Sequence, residues 1–194
     1  MAQIKGVVLN AWMQFLNSRY GEGPVVDAMQ KLGPAQQAQL ATRFLDSSWY
    51  PIESQMSLTK LTRVLATPAD GNISFEMGRF MADYAFDKVY KQLLKREPNR
   101  LVRNGWLEDS LFQGIRTMKS EMIGESTVLI RYHYEPGIKP TSGMCISTIG
   151  FCVRQAELAG GTDVKVIHPE EKCAVAGHDC CEVVIEWVPP DSSP

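Results

Sequence analysis

The sequence predicts an α+β fold in which N-terminal helices pack on a small, largely antiparallel sheet with one long helix. Two patterns support this prediction. Apolar residues recur at helical spacing through most of residues 1–124, whereas apolar and polar residues alternate in two later segments, 127–134 and 181–187. A series of helices followed by strands is typical of an α+β domain, in which helices cover part of an antiparallel sheet.

Glycine and proline residues divide the first half of the chain into successive helices. Apolar spacing predicts a first helix that Gly21 ends, a short second helix that Gly33 ends, and a third that begins at Pro34. Proline suits the first turn of a helix and glycine the position just after its end. A fourth helix, a turn, a long helix ending near Pro98 and a last helix over about 107–122 are predicted to follow.

The pattern changes to strands in the second half. Alternation over 127–134 predicts a half-buried strand, and apolar residues over 144–158 predict a helix that Gly160-Gly161 stops. A short strand at 164–167 and a final strand at 181–187 complete the predicted sheet.

These elements lead us to expect a single domain over residues 1–190. Its helical part would occupy 1–124 and its α/β part 125–190. The polar residues 191–194 follow two prolines at the C-terminus, where chains are commonly disordered, and we expect a disordered tail there.

The composition predicts a cytoplasmic protein. Net charge is −2 and no basic run exceeds Lys95-Arg96, so direct nucleic-acid binding is not expected. We expect no membrane insertion, since no apolar stretch approaches the roughly 20 residues that span a bilayer, and the N-terminus lacks the pattern of a signal peptide. Cytoplasmic thiols stay reduced, which favours metal ligands over disulfides as the role of clustered cysteines.

All the cysteines of the chain lie close together in the sequence and indicate a metal site. They are Cys145, Cys152, Cys173, Cys180 and Cys181. We predict that Cys145, Glu170, Cys173 and Cys181 bind one Zn²⁺, because three thiolates and one carboxylate satisfy its tetrahedral coordination. Four protein ligands leave no open position, so the zinc would be structural.

Strand parity decides between the two adjacent cysteines. Cys181 shares its strand face with apolar residues, whereas Cys180 shares its face with Glu182 and Glu186, so only Cys181 would reach an inward metal. Four other residues are rival ligands, namely Cys152, His168, Glu171 and His178. The alternative interpretation is that the cysteines simply pack in the core, since free cysteine is among the most buried residue types.

Residues 145–187 resemble the C-terminal half of the vinyl-4-reductase domain found in aromatic-sensing bacterial regulators. Cys145 precedes Ile149-Gly150-Phe151, the segment Glu170 to Cys173 reads Glu-x-x-Cys, and Cys181 follows eight residues later. The resemblance implies the same four zinc ligands, with an interval from Cys145 to Glu170 slightly longer than in that family.

The N-terminal half resembles a second group of families. The segment from Lys5-Gly6-Val7-Val8 to Tyr20-Gly21 is similar to the opening of haem-NO-binding domains, and more closely to that of the DUF2378 proteins of myxobacteria. These families share a ligand-binding fold with the TRAPP vesicle-tethering subunits. The resemblance therefore implies a small-molecule-binding fold that covers nearly the whole chain.

No haem is expected from the sequence. The histidines are His133 on a predicted strand and His168 and His178 in predicted loops, so none lies on a long helix, and the Tyr-x-Ser-x-Arg signature of haem-NO-binding proteins is missing. Enzyme activity is not expected either, since no G-x-S-x-G, Walker or H-E-x-x-H motif occurs.

The function expected from the sequence is a non-catalytic, cytoplasmic small-molecule-sensing or ligand-binding module with a structural zinc. Its ligand would be small and apolar or aromatic, in a pocket whose residues the sequence does not identify. The module would form a homodimer and signal through a separate protein, since no DNA-binding or ATPase domain is attached. The alternative is a TRAPP-like adaptor in which the same fold serves as an interaction surface.

Overall fold

The computed structural model describes residues 2–88 and 110–189. The chain divides into two compact units, one of Met1–Ile73 with Leu111–Gly114 and the other of Ser74–Ser110 with Ile115–Pro194. The single domain predicted over 1–190 stays a prediction, and the predicted tail at 191–194 lies outside the described residues.

The first unit joins helices to a small antiparallel sheet. Its helices are α1 (Gly6–Tyr20), α2 (Glu22–Gln30), α3 (Pro34–Leu40) and α4 (Ile52–Leu65), followed by a 3-10 turn at Pro68–Asp70. Its strands are β1 (Gln3–Lys5), β2 (Trp49–Pro51) and β3 (Phe112–Gln113), in the order β2-β1-β3. The predicted end of the first helix is confirmed, because Gly21 has a φ of 87° and donates its N–H to the carbonyl of Asn17.

The second unit contains a four-stranded antiparallel sheet in the order β4-β5-β7-β6. Its strands are β4 (Arg116–Gly124), β5 (Thr127–Tyr134), β6 (Thr162–Ile167) and β7 (Cys181–Val188). Its long helix is α6 (Ser142–Leu158), and α5 (Ile73–Lys88) belongs to it apart from its first residue. The predicted strands and the predicted helix at 144–158 are confirmed, and the fold is the predicted α+β mixture of helices and antiparallel sheets.

One element was predicted with the wrong structure. The helix expected over about 107–122 is wrong in its described part, where β3 and most of β4 lie; residues 107–109 lie outside the described residues. Met118 and Met122 are four residues apart, a spacing that suits one face of a helix and one face of a strand equally. Pairing of β4 with β5 along nearly its whole length decides for the strand. The helical part therefore does not extend to residue 124.

Alternation along the strands builds the core of the second unit. Buried side chains of β5, α6 and β7 form one apolar cluster that includes Ile130, Ile149, Val183 and Ile185.

The predicted long helix corresponds to α5 up to Lys88; its predicted end near Pro98 lies outside the described residues. None of the helices in the described part of the chain is long and apolar enough to cross a membrane.

Helices α5 and α6 lie in direct backbone contact. A Cβ atom added to Gly78 would come within 1.9 Å of the Ser147 carbonyl oxygen, and one added to Gly150 within 2.2 Å of the Phe75 carbonyl oxygen. Arg79 of α5 also forms a bidentate ion pair with Glu157 of α6, in which its two terminal nitrogens lie 2.7 and 2.8 Å from the two carboxylate oxygens. These contacts fix the position of α6, the helix that carries Cys145.

Candidate metal centre

Three cysteines and one histidine converge in the second unit. The sulfurs of Cys145, Cys173 and Cys181 and a ring nitrogen of His168 all lie within 4.8 Å of one another. The Sγ atoms are 3.1 Å apart for Cys145 and Cys181, and 3.7 Å apart for each of the other two pairs. His168 Nε2 lies 3.6 Å from Cys145 Sγ. The cysteines are buried and His168 is half-buried.

Three of these four distances are close to the edges of a zinc tetrahedron. Zn–S bonds of ~2.3 Å at the tetrahedral angle separate two sulfurs by about 3.8 Å, and a Zn–N bond of ~2.0–2.1 Å places the nitrogen about 3.6 Å from each sulfur. Two of the three sulfur pairs and the measured nitrogen–sulfur pair agree with these values. The pair Cys145–Cys181 would have to separate by several tenths of an ångström.

Four different segments supply the four side chains. Cys145 lies in the first turns of α6, which begins where the side chain of Thr141 accepts a hydrogen bond from the Met144 N–H at 3.3 Å. Cys173 lies between two 3-10 turns, Glu170–Lys172 and Ala174–Ala176. The turn after it needs a left-handed residue, which Gly177 supplies at φ 96°.

The orientation of His168 suits a metal ligand. Its Nδ1 lies 2.7 Å from the backbone carbonyl oxygen of Glu182. A carbonyl only accepts, so in the neutral ring Nδ1 carries the proton and the lone pair of Nε2 lies on the side of the cysteines. A histidine held by a backbone carbonyl in this way is the usual arrangement around protein-bound metals.

Hydrogen bonds within the cluster favour the thiolate form of Cys181. The pKa of the Cys181 thiol is lowered to about 5, first by the hydrogen bond from Cys145 and also by the backbone N–H of Ala174, which lies 3.3 Å from the sulfur. The pKa of Cys145 is raised, first by its hydrogen bond to Cys181 and then by burial. A dipositive ion would therefore displace the protons of the remaining thiols when it binds.

The predicted ligands are partly brought together. Cys145, Cys173 and Cys181 lie in the cluster, but Glu170 is not among its four members and is exposed in the 3-10 turn. His168, one of the rival ligands, takes the fourth position. Its place follows from the pairing of Ile167 with Val184, which carries the next residue of the chain toward the start of β7.

The other candidate residues lie outside the cluster. Cys152 Sγ is 3.0 Å from the hydroxyl of Tyr132 in the core, and Glu171 and His178 are exposed. The two adjacent cysteines differ in burial as parity along β7 predicts, because Cys181 is fully buried while Cys180 is only half-buried.

A cavity opens beside the cluster. Its volume is about 290 Å³, and Cys145, His168 and Cys173 form part of its wall. The rest of its wall comprises Ser142, Ile146, Glu170, Val175 and Ala176.

Comparison with known proteins gives a fold rather than a family. No protein family model matches the sequence, and no curated protein matches it. The resemblance to vinyl-4-reductase and DUF2378 proteins therefore stays a prediction.

Solved structures of H-NOX (haem-NO-binding) proteins do match. A mutant H-NOX protein from S. oneidensis in the Fe(II) ligation state has a TM-score of 0.72 at 14% identity, covering 97% of this chain and 98% of that one. An oxygen-binding H-NOX domain related to soluble guanylate cyclases, solved as its oxygen complex, has a TM-score of 0.69 at 14% identity and covers 98% of both chains. A structure from work on modulating haem redox potential through protein-induced porphyrin distortion also has a TM-score of 0.69 at 14% identity and covers 98% of both chains.

These matches identify the H-NOX fold and correct one prediction. The expectation of no haem is wrong as an inference from the sequence, because the structures that share this fold include proteins described by their haem, their Fe(II) state and their oxygen complex. Haem iron takes an axial ligand from a residue such as histidine. Among the described residues, His133 is the half-buried histidine outside the cysteine cluster, but it lies on the face of β5 opposite the buried Ile130 and Tyr132 and does not face the apolar core.

Proposed function

We propose that the chain is a ligand-sensing module of the H-NOX fold whose second unit is held together by a structural zinc. The observation that carries the proposal is the convergence of Cys145, His168, Cys173 and Cys181, whose ligand atoms all lie within 4.8 Å of one another. Thiolates and imidazole are the ligands that zinc prefers in structural sites, and Cys₃His is one of the common sets. His168 replaces Glu170 as the fourth proposed ligand.

The zinc would add a cross-link between parts of the unit that also pack together in the apolar core. One ligand lies on α6, one follows β6, one lies between the 3-10 turns and one begins β7. The segment between β6 and β7 is short of regular structure and has several exposed residues, so its own burial contributes little to its stability. Because the unfolded chain has no preformed site, zinc binding would stabilise the folded state.

The sensing role is the second part of the proposal. The H-NOX structures are described by states of a bound small molecule, including Fe(II), Fe(II)NO and oxygen complexes. We propose that this chain also binds a small ligand. It would be a non-catalytic module that forms a homodimer and acts on a separate protein. Haem is the first group to test as the holder of that ligand.

One experiment separates the parts of this proposal. Native mass spectrometry of the protein purified without an affinity tag should show about one zinc per chain, together with any haem or other small molecule. The His168→Gln variant should lose the zinc, while Cys180→Ser, which changes a cysteine outside the cluster, should keep it. A stable sample that binds no metal at any zinc concentration would contradict the zinc proposal. A metal-loaded chain that binds neither haem nor another small molecule would support the adaptor alternative.

A further inference from the structure

We propose that the metal-bound cysteines react with small apolar electrophiles that enter the adjacent cavity. This inference rests on the proposed zinc site and gives it a covalent chemistry. Cys145 and Cys173 belong both to the cluster and to the cavity wall, whereas Cys181 is fully buried behind them and is not part of the wall. A molecule in the cavity would thus lie beside two of the three cysteines.

The cavity wall favours small neutral molecules. Its volume of about 290 Å³ lies at the lower end of the range for small-molecule pockets. Ile146, Val175 and Ala176 give it an apolar surface, and the carboxylate of Glu170 at its edge disfavours anions. Burial against such a surface increases the local concentration of an apolar reagent beside the sulfurs.

Metal binding keeps the sulfurs in their reactive form. The thiolate is the nucleophilic form of cysteine, and a thiol bound to a cation such as Zn²⁺ is deprotonated. As zinc ligands, Cys145 and Cys173 would therefore both present nucleophilic sulfurs.

The reaction with an α,β-unsaturated carbonyl compound balances without another reactant. A sulfur lone pair forms a C–S bond to the β-carbon, and the C=C electron pair moves toward the carbonyl to give an enolate. The enolate takes a proton from water, which leaves a neutral thioether on the cysteine. A thioether is a much weaker zinc ligand than a thiolate, so the addition would release the metal and loosen the segment between β6 and β7.

A homologous series of maleimides tests this inference. Zinc-loaded protein is treated with N-methyl-, N-ethyl- or N-propylmaleimide, and the rates of addition and of zinc release are measured. Each rate is divided by the rate at which the same reagent reacts with glutathione, which gives a normalised rate. Each added CH₂ that enters the apolar cavity should raise the normalised rate by about fourfold. Peptide mass analysis should place the first addition on Cys145 or Cys173, and zinc release should follow it. Cys180, outside the cavity and half-buried, serves as the internal reference and should show no such increase.

Variants of the cavity wall provide the controls. Ala176→Trp fills the cavity and Val175→Ser makes its wall polar, so each should flatten the increase along the series while zinc stays bound. Ile123→Trp places the same large side chain at an exposed position on β4 and should leave the series unchanged. Equal normalised rates along the series in zinc-loaded protein, or addition confined to Cys180, would overturn the inference and leave the zinc site standing. Protein that binds no zinc would contradict the site and the inference together.

Discussion

Replacing Cys181 with serine should remove the metal and much of the stability that the metal provides. The side chain is fully buried, and its sulfur lies 3.1 Å from Cys145 Sγ and 3.7 Å from Cys173 Sγ. A serine hydroxyl fits the same space but remains neutral near pH 7, so it does not replace the thiolate as a zinc ligand.

The size of the effect follows from binding. A ligand present at a thousandfold excess over its Kd stabilises the folded state by about 4.1 kcal/mol. For a chain of this size each kcal/mol corresponds to roughly 2–4 °C in Tm. We therefore expect Cys181→Ser to lower the Tm in zinc-containing buffer by about 8–16 °C.

Thermal unfolding of matched variants measures this effect. Cys180→Ser makes the same chemical change one residue earlier, at a half-buried side chain outside the cluster, and should change the stability by no more than about 0.5 kcal/mol. Adding a chelator should lower the Tm of the unmodified chain and of Cys180→Ser, but not that of Cys181→Ser. Equal losses in the two variants, or a Cys181→Ser protein whose Tm still responds to the chelator, would refute the reasoning.

Three further predictions concern the fourth ligand, the helix contact and pH. His168→Gln should weaken zinc affinity by at least about tenfold, whereas Glu170→Gln should leave it nearly unchanged, as measured by competition with a chromogenic chelator. Gly78→Ala should lower the free energy of unfolding by about 1–3 kcal/mol, because the new Cβ would meet a backbone carbonyl oxygen at 1.9 Å. Gly23→Ala in α2, where nothing lies within 4 Å of the new Cβ, should raise it by up to about 1 kcal/mol. Denaturant unfolding measures both changes. With chelator present, the lowered pKa of the Cys181 thiol should contribute to the free energy of unfolding. This contribution should be fully present near pH 9 and progressively lost as the pH falls toward about 5. A free energy of unfolding that does not change over this pH range would contradict the lowered pKa.

The strands that could be predicted are those with a long alternating pattern. Eight-residue strands β5 and β7 bury one face and show the alternation clearly. Strands β1, β2 and β3 have only two or three residues, too few to show a period. In β4 the two methionines suit a helix as well as a strand, and only the pairing with β5 distinguishes them. Long-range strand pairing of this kind cannot be predicted from the local sequence.

The site could be predicted where the argument was local. Parity along β7 selects Cys181 over Cys180, and the structure agrees. The choice between His168 and Glu170 depends instead on the register between β6 and β7, in which Ile167 faces Val184. Sequence spacing gives no access to that register. The resemblance of the N-terminal half to haem-NO-binding domains agrees with the matching structures, whereas the expectation of no haem rested on one missing signature, at a level of about 14% identity to the structures that share the fold.

X-ray absorption at the zinc edge tests the central claim most directly. The proposed site predicts three sulfur atoms at about 2.3 Å from the metal and one imidazole nitrogen at about 2.0–2.1 Å. The multiple-scattering features of imidazole should disappear in His168→Gln. A spectrum with a carboxylate oxygen in place of imidazole, with fewer than three sulfurs, or with no protein-bound zinc to measure would contradict the account.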